Sequence, residues 1–260
     1  MNIQTTNMSL NKIIDELIIL FKKKEFNLLI EKAKEKIKDF PESFELYNLI
    51  GITFAEIKNI EQSVKYYKKA LVVNPKNFIS DFYLGSLYHD NNDLPNALKH
   101  YKKSINLNPK YLNAWFNIGV AYYENNNSLE AINSYKKVIT IDPKHTNALY
   151  NLGCIYHELL NYNKSVMYYK LAIRVNPSFY FSYSNLAKVF MDKGDYKNSL
   201  KYYKLFLEEN PNDVEVLNEV GVLFAKLNHY EKSLIYFKKG LKIDPNSIKT
   251  KYNIASMFID

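Results

Sequence analysis

The sequence predicts an all-α protein, an α-solenoid of antiparallel helix pairs, because landmark residues recur at one fixed step. A period of this size is typical of stacked helical units, each of which buries its apolar face only against its neighbours. Prolines follow a 34-residue step without a gap, at Pro41, Pro75, Pro109, Pro143, Pro177, Pro211 and Pro245. Glycines keep the same step, with one alanine in their series, at Gly51, Gly85, Gly119, Gly153, Ala187 and Gly221.

One period contains two amphipathic helices, as residues 112–145 illustrate. Apolar residues recur there at helical spacing from Trp115 to Tyr122 and again from Ala131 to Ile139. The asparagines at 125–127 suit a turn with left-handed backbone, because a short polar side chain tolerates positive φ. Pro143 then closes the unit, since the residue before a proline is forced out of helical conformation.

Small residues at two places in the period predict close packing of the two helices. Gly119 lies in the first helix and Ala131 opens the second, and serine replaces this alanine in several other units. Two helix backbones approach each other closely only where side chains are short. We therefore expect the helices of each unit to pack as a tight hairpin, with the recurring tyrosines of the second helices in the core.

The combined pattern resembles the tetratricopeptide repeat, whose helix-turn-helix signature has large, small and aromatic residues at these offsets. In the third unit it consists of Trp115, Ile118, Gly119, Tyr122, Ala131, Tyr135, Val138 and Pro143. The resemblance implies a right-handed superhelix whose concave groove is lined by the first helix of each unit. It is similar to the superhelical repeat arm of O-linked N-acetylglucosamine transferases.

The repeat frame divides the chain into a tail, a cap and a series of repeats. We expect a disordered tail over residues 1–9, a degenerate capping repeat over 10–43 and the first helix of a seventh repeat over 248–260. The last helix would be uncovered, so either it is itself the cap or, as we favour, the sequence is the N-terminal part of a longer polypeptide. The six full repeats are predicted at 44–77, 78–111, 112–145, 146–179, 180–213 and 214–247.

Composition and motifs point away from catalysis. The chain has 260 residues, a net charge of +8, five histidines and a single cysteine, Cys154. No two histidines have metal-ligand spacing, and no phosphate-binding glycine loop or nucleophile motif occurs. We predict no enzyme activity, no cofactor, no metal and no small-molecule substrate. The absence of a signal peptide or long apolar run from the sequence predicts a cytoplasmic protein without a membrane span.

The groove offsets of the first helices supply the candidate binding residues. Asn117, Asn151, Asn185 and Asn253 share one offset, and a row of primary amides can donate to and accept from a passing peptide backbone. This row resembles the asparagine ladder of the glycosyltransferase arm named above. An equally weighted alternative is that the amides tie adjacent helices together or face water. Further candidates in the groove are Phe82, Phe116 and Tyr150 as aromatic platforms, with Asn113 and Asn147.

A recurring acidic offset near the end of each first helix forms a candidate rim that would select basic partners. Its members are Glu56, Asp90, Glu124, Glu158 and Asp192. The leading hypothesis is therefore a non-catalytic scaffold or adaptor that binds a protein or peptide segment. One alternative is the substrate-recognition arm of a larger glycosyltransferase-like enzyme. A weaker one is nucleic-acid binding by the lysine-rich second helices, which the scarcity of arginine disfavours.

Overall fold

The computed structural model describes residues 3–257, with side chains described from residue 9 onwards, and this part of the chain contains helices and no strand. The predicted all-α fold is confirmed. In chain order the helices are α1 Ile3–Lys22, α2 Phe26–Asp39, α3 Phe44–Glu56, α4 Ile60–Val73, α5 Phe78–Asp90, α6 Leu94–Leu107, α7 Leu112–Glu124, α8 Ser128–Ile141, α9 Thr146–Glu158, α10 Tyr162–Val175, α11 Phe181–Asp192, α12 Tyr196–Glu209, α13 Val214–Lys226, α14 Tyr230–Ile243 and α15 Ile248–Met257.

The chain divides into two units, Met1–Ser134 and Tyr135–Asp260. In the first unit α3 pairs with α4 and α5 with α6, and α4 packs against α5 as α6 packs against α7. The second unit repeats this order with the pairs α9 and α10, α11 and α12, and α13 and α14. Each unit is thus a series of helix hairpins in which every hairpin packs on the next.

The N-terminus differs from the expected one. Helix α1 begins at Ile3, so residues 3–9 are helical where a disordered tail was expected, and residues 1–2 lie outside the described residues. Helices α1 and α2 bury Leu17, Leu29 and Ala33 in the range where a capping repeat was predicted. At the other end, α15 occupies the place of the predicted seventh first helix, and residues 258–260 again lie outside the described part.

Local sequence explains where the helices end. Left-handed backbone occurs at the turn between the helices of a pair, for example at Asn92 with φ 60° and Asn126 with φ 55°. Asparagine and glycine tolerate this conformation best, as the sequence predicts. The residue before each repeat proline has left helical conformation, as at Asn74 with φ −132° and ψ 90° and at Asn176 with φ −135° and ψ 92°. The next hairpin therefore starts in a new direction.

A tyrosine or phenylalanine from each second helix forms the centre of its hairpin. Tyr101 of α6 has no exposed surface, and its ring occupies the space that the missing side chain of Gly85 leaves on α5. A Cβ atom at position 85 would lie 2.6 Å from Cδ1 of Tyr101. In this hairpin the aromatic residue therefore needs a glycine opposite it, which explains why the two features share one period. The same pairing recurs at Tyr67, Tyr169 and Phe237, opposite Gly51, Gly153 and Gly221.

Candidate functional site

The first-helix face, defined here as the surface formed by the odd-numbered helices within each unit, receives the hydroxyl groups of tyrosines from the second helices. Tyr101 spans its hairpin, and its Oη donates to Ser86 Oγ at 3.3 Å. The same Oη accepts a hydrogen bond from Nδ2 of Asn117, on α7, at 3.2 Å. Burial raises the pKa of Tyr101, so the phenol stays neutral and can act as donor and acceptor. The aromatic core thus fixes a polar side chain on the first-helix face.

Asn185 of the second unit is fixed in a related way. Its Nδ2 donates to Oη of Tyr150 on α9 at 2.7 Å. Burial, with a smaller contribution from the Cys154 thiol, raises the pKa of Tyr150 to about 12. Tyr150 in turn packs edge-on against Phe179, with 5.2 Å between ring centroids. The Nδ2 group of Asn185 is therefore hydrogen-bonded to α9, while its Oδ1 makes no hydrogen bond with the described residues.

For these two residues the structure shows contacts within the protein, and the part of the amide row in peptide binding stays a prediction. The Nδ2 groups of Asn117 and Asn185 tie adjacent helices together, as the alternative hypothesis states. Each amide oxygen remains as an acceptor that a peptide N–H could use. Sequence reasoning named Tyr150 as an aromatic platform and placed the recurring tyrosines of the second helices in the core, but it did not predict that the hydroxyl groups of Tyr101 and Tyr150 hold these amides.

The remaining asparagines differ in exposure. Asn113 and Asn147 are exposed and Asn151 is half-buried. Asn253 lines a cavity of about 420 Å³ near Lys226 and Tyr230, and its buried Nδ2 has no hydrogen-bond partner among the described residues. The part of these residues in binding stays a prediction.

The aromatic candidates on the first helices pack against other side chains and are not fully exposed to a ligand. Phe82 meets Tyr111 edge-on at 5.1 Å between centroids and Tyr101 at 5.8 Å, and Phe116 is half-buried. Two rings on this face are exposed among the described residues, Phe181 on α11 with 64 % of its surface accessible and Tyr252 on α15 with 71 %. Sequence reasoning missed Phe181. It precedes Asn185 by four residues on α11, so both lie on one side of that helix.

The candidate acidic rim is exposed at every position, and Glu124 and Asp192 are among its members that have a partner within the protein. Oε2 of Glu124 lies 2.7 Å from Nε2 of His89, which ends the preceding first helix. Oδ2 of Asp192 has the same relationship to Nε2 of His157, also at 2.7 Å. These residues therefore link consecutive first helices within each unit. Selection of basic partners by the rim stays a prediction.

A cleft lies on the first-helix face of the second unit, between α11 and α13 and above α12. It has a volume of about 200 Å³. Its floor is apolar, because Tyr203 and Phe206 of α12 are buried there. Its walls carry one exposed ring, an amide and charged groups of both signs. The walls include Phe181, Asn185, Lys188, Glu215 and Glu219.

Lysines of the second helices contribute to packing between consecutive hairpins. Lys170 Nζ lies 5.7 Å from the ring centroid of Phe190 on α11, and Lys204 Nζ lies 5.7 Å from that of Phe224 on α13. Cation–π contacts of this kind are worth about 0.5–1 kcal/mol at exposed sites. The same relation between a lysine and an aromatic residue twenty positions later occurs in the first unit at Lys34 and Lys102. The lysine-rich surface therefore has a structural role.

Within the described part of the chain, histidine, cysteine and acidic side chains form no group of three or more that could hold a metal ion. No helix over residues 3–257 combines the length and apolar character that crossing a bilayer requires.

Hairpins of two helices on a 34-residue period, with aromatic residues packed against glycines, define a helical-repeat protein. The chain belongs to the tetratricopeptide repeat family. Models described as tetratricopeptide repeat match residues 44–77, 112–145, 146–179, 182–213 and 214–247, and a model described as TPR repeat matches 85–126.

Solved structures share this fold. The C-terminal part of a TPR repeat-containing protein from Cytophaga hutchinsonii is 20 % identical, with a TM-score of 0.78 over 93 % of this chain and 99 % of that one. YrrB, titled a TPR protein with an unusual peptide-binding site, is 20 % identical with a TM-score of 0.64, over 73 % of this chain and 97 % of its own. MamA is 24 % identical with a TM-score of 0.61, over 67 % and 96 %. A search of curated proteins finds no match.

Proposed function

We propose that this protein is a non-catalytic interaction module and that its first-helix face binds a peptide segment of a partner protein. The observation that carries the proposal is the cleft between α11 and α13, where an exposed phenylalanine and an oriented amide lie side by side above an apolar floor. Concave sites that are mainly apolar, with a few fixed polar groups, are the usual form of binding sites.

The two side chains on α11 suit different parts of a peptide. Phe181 offers a ring against which an apolar side chain can lose its contact with water. Asn185 offers its Oδ1 to a backbone N–H, and its hydrogen bond to Tyr150 holds the amide in one orientation. Because this group is fixed before binding, little conformational entropy is lost when the peptide arrives. The cleft can therefore recognise a main chain together with one apolar side chain.

Two further observations support the proposal. The solved structure of YrrB, which shares the fold, is titled for its peptide-binding site. Repeats of this family generally serve protein interaction. A cytoplasmic location goes with this function and remains part of the proposal.

The experiment is selection of random short peptides displayed on phage against the full chain, followed by fluorescence anisotropy with the enriched peptides. Phe181→Ser should weaken binding about tenfold, because an apolar contact of one aromatic side chain is lost. Ile235→Ser is the matched control, since Ile235 is a similarly exposed apolar residue on the second helix α14. Equal affinities of the wild type and Phe181→Ser, or failure to enrich any peptide, would contradict the proposal.

A further inference from the structure

The cleft between α11 and α13 has a charge that differs from that of the whole chain. Three carboxylates line it, those of Asp213, Glu215 and Glu219, against the single ammonium group of Lys188. The chain as a whole carries +8. The cleft is therefore a local excess of negative charge in a basic protein.

The three carboxylates are not equally available. Asp213 Oδ1 caps α13 by accepting from the backbone N–H of Val216 at 2.9 Å. Glu219 Oε1 accepts from Lys249 Nζ at 2.9 Å, and this bond raises the pKa of Lys249. Glu215 is exposed and forms no direct ion pair with any described side chain, and its charge contributes less than Glu219 to the raised pKa of Lys249. A charged ligand group would find its partner at Glu215.

We infer that the cleft selects a peptide segment in which a lysine or arginine lies close to an apolar side chain. The inference rests on the proposed function and adds the class of partner to it. The apolar side chain contacts Phe181 while the cationic group pairs with Glu215 in a charge-assisted hydrogen bond. Acidic segments are disfavoured, because the wall offers them only Lys188.

The chain offers a close control for Glu215. Glu231 is the second residue of the second helix α14, as Glu215 is the second residue of the first helix α13, and both are exposed. The two glutamates therefore experience the same favourable interaction with a helix N-terminus. They differ in that only Glu215 lines the cleft.

The test measures the affinity of the enriched peptides for the full chain and its variants at low salt. We expect the enriched sequences to contain lysine or arginine beside an apolar residue. Glu215→Gln should weaken binding about three- to fivefold, as loss of an exposed ion pair does, and added salt should reduce that difference. Glu215→Lys should weaken it further and regain affinity for a peptide whose basic residue is replaced by glutamate. Glu231→Gln should leave affinity unchanged.

Two outcomes separate this inference from the proposed function. If Phe181→Ser weakens binding but Glu215→Gln does not, the cleft binds peptides without selecting basic ones, and the inference is overturned while the function stands. If Phe181→Ser also has no effect, the function itself fails. Enriched peptides without basic residues would likewise overturn the inference.

Discussion

The ring of Tyr169 lies so close to Gly153 that a Cβ atom on the glycine would be 2.7 Å from both Cδ1 and Cε1. Tyr169 is almost fully buried, so its ring cannot swing into solvent to make room. Real Cβ atoms do not approach other atoms this closely, and α9 and α10 would have to separate. The relationship between these two residues thus sets the distance between α9 and α10.

Gly153→Ala should lower the free energy of unfolding by about 1–3 kcal/mol, the usual cost of inserting a methyl group into a well-packed core. Gly240→Ala is the control, because a Cβ there would meet Val214 and Thr250 at 3.8 Å and 3.9 Å, which are ordinary contacts. Alanine should stabilise α14 by up to about 1 kcal/mol, since glycine is a poor helix former. Urea denaturation of both variants checks the opposite signs, and a stable Gly153→Ala protein would contradict the packing described.

Buried serines provide a second prediction. Ser63 Oγ and Ser165 Oγ each donate to a glycine carbonyl of the paired helix, at 2.8 Å. Ser199 Oγ and Ser233 Oγ occupy the same place in later hairpins, are equally buried and have no partner among the described residues. Ser165→Ala should therefore cost about 1 kcal/mol, whereas Ser199→Ala should be neutral or stabilising by a similar amount.

Thermal melting of the two serine variants side by side is sufficient to check this. Both changes remove the same atom from a buried helix position, so loss of volume affects them equally. Equal destabilisation of the two proteins would show that the hydrogen bond to the glycine carbonyl contributes nothing.

Asp81 and His100 form a buried polar pair where other hairpins have apolar residues. Asp81 Oδ1 lies 2.8 Å from His100 Nδ1, and the two side chains are 5 % and 12 % exposed. Leu149 and Tyr168 occupy the equivalent places on α9 and α10, and both are buried. His100→Tyr alone should destabilise by about 3 kcal/mol, because the Asp81 carboxylate loses its partner.

The double variant Asp81→Leu with His100→Tyr should recover wild-type stability or exceed it, because a buried, hydrogen-bonded polar pair is often replaced by packed apolar residues without loss. The new tyrosine can stack on Tyr88, as His100 does at 5.5 Å between centroids. A double-mutant cycle by urea denaturation measures the coupling. A double variant that is less stable than His100→Tyr would contradict this account.

Asp195 should make stability depend on pH. Its Oδ1 caps α12 through the backbone N–H of Asn198 and its Oδ2 accepts from the Asn198 side chain at 2.7 Å. These bonds lower its pKa below the ordinary 3.8. A lowered pKa means that the stabilisation is present above pH 3.8 and is lost as the pH falls through the pKa of the folded protein.

The matching variant is Asp195→Asn, which retains one capping oxygen but loses the second acceptor. We expect it to be less stable than the wild type at pH 7 by about 0.5–1 kcal/mol, with a difference that shrinks towards pH 3. Urea denaturation at several pH values measures this. A difference that is constant over this range would rule out ionisation of Asp195 as the cause.

The sequence predicts the helix pairs well because the residues that repeat every 34 positions are the same residues that pack the two helices together. Gly85 and Tyr101 recur together since one fills the space that the other leaves, so the pattern specifies the hairpin. The site is harder to predict, because the groove offsets indicate which side of a helix a residue occupies but not what it contacts. Asn185 was placed on the correct helix, yet its bond to Tyr150 joins residues 35 positions apart.

The repeat pattern also does not predict how exposed an individual side chain is. Phe82, Tyr150 and Phe181 are all aromatic residues on first helices. Phe82 packs against Tyr111 and Tyr150 against Phe179, both just before the next first helix. Phe181 also contacts Phe179, yet most of its surface is exposed. Which of Glu215 and Glu219 forms a direct ion pair was likewise not predictable, because their partner Lys249 lies one repeat away in sequence and the structure brings it to Glu219.

The central claim is that peptides bind on the first helices of the second unit. Hydrogen–deuterium exchange of the full chain, with and without an enriched peptide, tests it most directly. The account predicts slower exchange in α11 and α13, centred on residues 181–188 and 214–219, with α12 and α14 changed less. Protection confined to α12 and α14, or to the lysine-bearing surface of the second helices, would contradict it.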